Sequence, residues 1–292
     1  MTFRKIVAAT DFSPGSERAL SIATRLAVSS AAELVVVHVL EVPTAFGGEL
    51  PAPTDIVVEL KAEAGRGLDQ AVAEARTRGV VRVSSQLLEG TAPESLLRLV
   101  DAPDVDLIVV GTHGRTGLAR VLLGSIAENI VRHAACSVLV VRPGDELVRF
   151  SHVLCPVDGE EASRSALWRA VQLAKADDAR LTLLNVVELG VGYSGRRAVQ
   201  YLQHLERSSR ELLDKEKESL NLITPLPTID TRTVMGSAGG QILAALEDDR
   251  SIDLVVMGSR GRTGIKRVFL GSVAEKVVRH APCPVLIARK RA

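Results

Sequence analysis

The chain has 292 residues, of which 46% are hydrophobic, 24% charged and only 3% aromatic. Its 36 lysines and arginines nearly balance 35 aspartates and glutamates, and a formal net charge of +1 argues against nucleic acid or an anionic membrane as the main partner. No apolar run reaches the roughly 18 residues of a membrane span, and the opening Met1-Thr-Phe-Arg-Lys-Ile-Val reads as a first strand and not as a secretory leader, so a cytoplasmic protein is expected.

Residues 5–10 are a short apolar run of strand length. Ser13 and Pro14 supply an N-cap and first turn for a helix reaching about Ser29. Residues 33–39 read as a second strand. A loop carrying Pro43, Pro51 and Pro53 leads to a helix over about 55–78. Gln86-Leu-Leu ends a third strand, 92–100 is helical and 106–110 is a fourth strand. A helix over 125–133 and a fifth strand over 137–141 follow. In the second half the strands recur at 153–157, 181–186, 254–257 and 285–288. This alternation predicts an α/β fold of two tandem, doubly wound parallel-sheet domains with right-handed crossovers. They are expected at 1–144 and 145–292, with the boundary near Pro143-Gly144-Asp145. With aromatics scarce, the cores must be built from Val, Leu, Ile and Ala, which suits strands covered on both faces. Ligands of such sheets bind at the carboxyl ends of strands, at a topological switch point.

The halves are copies. Gly111-Thr-His-Gly-Arg-Thr-Gly117 returns 147 residues later as Gly258-Ser-Arg-Gly-Arg-Thr-Gly264, and the same offset joins Asp11 to Asp158 and Val39 to Val186. From Gly111 to Arg142, 20 of 32 positions are identical to those from Gly258 to Arg289. Around Gly90 and Gly236 the offset is 146. The cysteines Cys136, Cys155 and Cys283 form neither a zinc spacing nor a disulfide framework, and read as small buried apolar residues.

The strongest chemical signal follows the fourth strand: Gly111-x2-Gly114-x9-Gly124-Ser125, repeated as Gly258-x2-Gly261-x9-Gly271-Ser272. Glycine permits a sharp turn and brings backbone close to a ligand. Gly111 and Gly114 could thus meet ribose and phosphate without a side chain intervening. Gly124 and Ser125 stand where a helix begins, and the free N–H groups and dipole there attract anions. The Ser125 hydroxyl could cap the helix or donate to a phosphate oxygen. There is no Gly-Lys-Ser/Thr, which excludes a Walker A loop. The position after the fourth strand and the absent tight fingerprint argue against a Rossmann dinucleotide site.

With these loops, and with Ala9-Thr-Asp11-Phe-Ser after the first strand and His38-Val39 ending the second, the chain resembles the tandem universal stress proteins, in their ATP-binding branch. The resemblance covers both halves. It implies that Asp11 and Asp158 help hold the nucleoside and that Ala9 and Pro156 line its pocket. It implies that Val39 and Val186 meet adenine through their backbone, with Val110 and Met257 packed near the base. The loop residues Gly111, Gly114, Arg115, Gly124, Ser125 and Ile126, and Gly258, Gly261, Arg262, Gly271, Ser272 and Val273, would then complete the ATP-binding sites. Arg115, Arg120, Arg262 and Arg267 recur and could neutralise phosphate charge. Mg²⁺ would be held mainly by the nucleotide and water. Family members pair through the fifth strand, so residues 137–141 and 284–288 are expected to associate within one chain or between two. The copies differ at His113/Arg260, Ala9/Pro156 and His38/Asn185, and Pro93 has no counterpart beside Gly239-Gly240.

Binding does not establish chemistry. Hydrolysis needs a residue that orients water and compensates charge at the γ-phosphate, and no motif here supplies it. His133 and His280 match across the repeat but end a helix, where their charge suits the dipole. The His-x-Gly-His signature of adenylyl transfer is absent. Three readings follow: an ATP-binding stress-response regulator with slow or no turnover, a weak ATPase or self-phosphorylating enzyme, and a dimerising scaffold that makes no use of nucleotide.

Overall fold

The computed structural model describes residues 3–41, 44–45, 50–51, 54–112, 123–142, 149–188, 196–223, 228–259 and 270–289. The expected boundary at 143–145 lies outside these residues, as do His113, Gly114, Arg115, Arg120, Arg260, Gly261, Arg262 and Arg267. The chain divides into two compact units, Met1–Leu147 and Val148–Lys290.

In the first unit β1 (Lys5–Ala9), α1 (Pro14–Ser30) and β2 (Glu33–Leu40) are followed by a short antiparallel pair, β3 (Thr44–Ala45) and β4 (Leu50–Pro51). Then come α2 (Thr54–Thr77), β5 (Arg82–Glu89), α3 (Ala92–Val100), β6 (Leu107–Gly111), α4 (Ser125–His133) and β7 (Ser137–Val141). The second unit runs β8 (His152–Pro156), α5 (Glu161–Asp177), β9 (Arg180–Val187), α6 (Arg196–Ile223) and β10 (Ile229–Met235), then α7 (Ala238–Asp248), β11 (Leu254–Gly258), α8 (Ser272–His280) and β12 (Val285–Ala288). Strand order is β7-β6-β1-β2-β5 in the first and β12-β11-β8-β9-β10 in the second, with every one of these pairings parallel.

The central strands are apolar because both faces are covered. Leu107, Ile108, Val109 and Val110 are at most 3% exposed, and β7 is buried along its whole length. Each such side chain contributes about 1.5–3 kcal/mol on leaving water. Phe3 and Phe150, matched across the repeat, are among the largest fully buried side chains. β5 instead alternates exposed and half-buried residues. For that reason only its Gln86-Leu-Leu end was legible in the sequence, and β10 carries no comparable apolar run.

A carboxylate fixes the start of each sheet. Asp106 accepts the backbone N–H groups of Arg4 (2.7 Å) and Lys5 (3.3 Å). Its counterpart Asp253 accepts those of Ser151 (2.7 Å) and His152 (3.1 Å). Burial opposes ionisation of Asp106, but the Arg4 and Lys5 donors outweigh it and hold the carboxyl below its ordinary range. The cysteines are free and buried, and burial pushes the Cys155 thiol far up.

Candidate functional site

The strand order reverses direction between β1 and β6, and between β8 and β11. A doubly wound sheet opens a crevice at the carboxyl ends of strands at such a point. In the first unit it forms a cleft of about 540 Å³, lined by Ala9 at the end of β1, Asp11 after it, Val39 on β2, Val110 and Gly111 on β6, and Gly124, Ser125 and Ile126 at the start of α4. In the second a cleft of about 270 Å³ is lined by Pro156, Asp158, Val186, Met257, Gly258, Gly271, Ser272 and Val273. Every expected site residue within the described regions therefore lines its unit's cleft. His133 and His280 are exposed, in the last turns of α4 and α8, and line neither.

A larger cavity of about 820 Å³ lies between α1 and α2 and shares only Thr10 with the first cleft. It is an open groove whose Arg18, Arg66 and Arg78 are balanced by Glu17, Glu63 and Glu74. Its charge selects no ligand, and size alone does not make it the site.

The turn after β1 is built by short polar side chains. Asp11 Oδ1 accepts the Ser13 N–H (3.1 Å) and hydroxyl (2.5 Å), and the Asp11 N–H donates to Ser16 Oγ (3.3 Å). Ser13 also caps α1, accepting the Ser16 N–H. In the second unit Asp158 accepts the Glu160 N–H (3.0 Å), and its own N–H donates to Ser163 Oγ (3.4 Å). Between carboxylate and helix stands a left-handed residue, Phe12 (φ 61°) in one unit and Gly159 (φ 83°) in the other.

His38 Nδ1 lies 2.8 Å from the Thr10 carbonyl. A carbonyl only accepts, so Nδ1 carries the proton. Asn185 makes the same bridge by donating its side-chain amide to the Val157 carbonyl. The His/Asn exchange thus preserves a donor that ties the second strand of each unit to the end of its first. The Phe12 ring packs on the His38 imidazole with centroids 4.7 Å apart.

The glycines have structural causes that spacing did not reveal. A Cβ on Gly111 would stand 2.9 Å from the Gly15 carbonyl oxygen, and one on Gly258 2.8 Å from that of Ala162. The first turn of α1 or α5 thus already requires a glycine there, before any ribose or phosphate is considered. At the base of the loop the Gly124 N–H donates to the Thr112 carbonyl and the Gly271 N–H to that of Ser259, both at 2.8 Å.

Capping by Ser125 is corrected: the N-caps of α4 and α8 are Gly124 and Gly271, neither with a side-chain cap, and Ser125 and Ser272 are the first helical residues, both exposed. The Glu128 N–H donates to the Gly124 carbonyl and the Glu275 N–H to that of Gly271. The amides of 125–127 and 272–274 precede these bonds, so they have no intrahelical acceptor and form the positive end of the dipole. An anion seated there would gain both effects.

Sequence reading missed two pairs of cleft residues. Ser16 and Ser163 hold the aspartate turns. Glu41 and Glu188 accept the first N–H groups of α3 and α7, from Ala92 (2.8 Å) and Ala238 (2.6 Å). Each pair obeys the 147-residue offset, so comparing the halves position by position would have marked them. Among the described residues, no group of three or more His, Cys, Asp or Glu side chains could hold a metal ion. No helix among them is long and apolar enough to cross a membrane.

Two doubly wound α/β units in tandem, each with a cleft at its switch point, define the class of protein. The universal stress protein family model matches residues 2–142 and 149–289, and the chain belongs to that family. A universal stress protein of Staphylococcus epidermidis is 34% identical over 145 residues, covering 49% of this chain and 86% of that relative. One from Staphylococcus aureus strain USA300 is 33% identical over the same length and coverage. Over nearly the whole chain, the fold matches the crystal structure of a universal stress protein from Archaeoglobus fulgidus, with a TM-score of 0.70, 20% identity and coverage of 99% and 98%.

Proposed function

We propose that the chain binds ATP in its strand-end clefts and serves a regulatory, stress-response role in the cytoplasm, with slow or no hydrolysis. The observation that carries this reading is convergence. Residues picked from distant parts of the sequence by the repeat and the loop spacing line one cleft in each unit. In the first, the Val39 backbone and the Ala9 and Val110 side chains would receive the base, the Asp11 carboxylate the ribose, and the amides at the start of α4 the phosphates. A volume of about 540 Å³ lies within the roughly 300–1,000 Å³ typical of small-molecule sites. Mg²⁺ bound by the phosphates and water would neutralise the charge that the helix end leaves uncompensated.

Equilibrium titration with ATP and Mg²⁺ tests the reading. Saturable binding that is lost when Gly114 and Gly261 are both made bulky supports it, and no saturable binding refutes it. Retention of intact nucleotide on gentle purification would speak for slow turnover. The exposed Ser125 and Ser272 hydroxyls motivate the second reading, a weak ATPase or self-phosphorylating enzyme. Sustained phosphate release, or a phosphoprotein, that disappears with Ser125→Ala and Ser272→Ala would favour it. Pairing through residues 137–141 and 284–288, within one chain or between two, belongs to the same proposal, and light scattering across concentration tells a monomer from a dimer.

A further inference from the structure

We infer that the two clefts have diverged in capacity, so that the chain holds one nucleotide, in the first unit, and not two. This rests on the ATP-binding reading and narrows it. The second cleft has half the volume of the first, about 270 Å³ against 540 Å³, and falls just below the usual range of small-molecule sites.

The first cleft also reaches Leu40 and Leu60, which have no counterpart in the lining of the second, and the side assigned to the base carries larger residues in the second unit. At the end of the first strand, half-buried Ala9 is replaced by half-buried Pro156, which puts a ring where a methyl stood. Across the switch point Val110 is replaced by the longer Met257, both buried beneath the cleft at 3% and 5% exposure. These positions, 147 apart in each case, form the side of the cleft assigned to the base. Other exchanges go the opposite way: Val273 is smaller than Ile126, and Asn185 smaller than His38. Among the described residues the helix end of the phosphate side is alike, because Gly124 and Gly271 make the same 2.8 Å loop-closing bond and the helices behind them begin in the same way. The second cleft keeps the anion-attracting helix end, while Pro156 and Met257 add bulk at the side assigned to the base. A close-packed wall does not yield a ring's width at small cost.

The experiment counts nucleotide by native mass spectrometry and calorimetry with a non-hydrolysable ATP analogue and Mg²⁺. One equivalent per chain is expected in the unaltered protein. Installing the second unit's residues in the first, Ala9→Pro with Val110→Met, should weaken that equivalent by at least about tenfold. The protein already tolerates both residues at the matching positions. The reverse pair, Pro156→Ala with Met257→Val, should add a second equivalent, and a gain of binding cannot arise from misfolding. Two equivalents of similar affinity in the unaltered protein would overturn the inference while leaving the ATP reading intact. So would one equivalent that survives Ala9→Pro with Val110→Met, or a count that stays at one in the reverse pair. No binding at all would remove both.

Discussion

Phe12 fills the space that a side chain on Gly67 would need: a Cβ there would stand 2.7 Å from its Cε1 atom. The second unit makes the same contact with the sizes exchanged. Gly159 replaces Phe12, and the side chain of Leu212 on α6 reaches within 3.4 Å of where a Cβ on Gly159 would be. The buried faces of α2 and α6 match at an offset of 145, through Leu68 and Leu213, which pairs Gly67 with Leu212. Large-on-small is thus kept and only its direction differs. In the first unit this costs a bulky side chain a left-handed φ of 61°, offset by packing on His38.

Gly67→Ala is therefore expected to destabilise the protein by about 1–3 kcal/mol, as overpacking does. Phe12→Gly should suppress most of that penalty, because the clashing ring is gone. Denaturant unfolding of the two single variants and the double measures the coupling. Additive effects would refute the contact.

Gly111→Ala and Gly258→Ala should be worse tolerated than the loop spacing implies. Their Cβ atoms meet backbone carbonyls, at 2.9 Å and 2.8 Å, which cannot rotate away as a side chain can. Each substitution should lower the midpoint of thermal unfolding without nucleotide present, and Gly111→Ala should also weaken ATP binding by displacing the Asp11 turn. An unchanged melting temperature would show that α1 yields freely.

Removing either sheet-anchoring carboxylate strands backbone donors at the start of a strand. Asp106→Ala and Asp253→Ala should each cost about 1–3 kcal/mol, read from urea midpoints. For Asp106 the sign follows from its lowered pKa. Its contribution is present above the ordinary carboxylate range and is lost as pH falls through the lower, folded-state value.

His152 gives the second unit a pH dependence at higher pH. Burial drives its pKa below the ordinary histidine value, opposed by Asp249, with Arg180 adding to the depression and Asp253 and Asp230 opposing it. Its ring nitrogens are held by Ser251 (2.9 Å) and Thr182 (2.8 Å). The unfolded chain takes up the proton more readily, so stability is retained above about pH 6.5 and falls as pH drops below it. Urea midpoints at pH 7.5 and 5.5 should separate more in the unaltered protein than in His152→Gln. Equal separations would mean that another group governs this range.

The sequence by itself determined the repeat, the alternation of strand and helix, and the strand-end residues that line the clefts. Those signals are local runs, fixed spacings or exact recurrences, and each can be read along one dimension. It also contained, without announcing them, Ser16 with Ser163 and Glu41 with Glu188, whose types are too common to stand out until the halves are compared. Only the tertiary structure decided why Gly111 is glycine, that Gly124 and not Ser125 caps α4, and that Phe12 and Gly67 are one feature. Those facts depend on atoms brought together from far along the chain, and close packing leaves no periodicity behind. The same holds for the clefts: Ala9/Pro156 was visible as a difference, but its meaning rests on Pro156 and Met257 lining one cleft, which is a property of the folded chain.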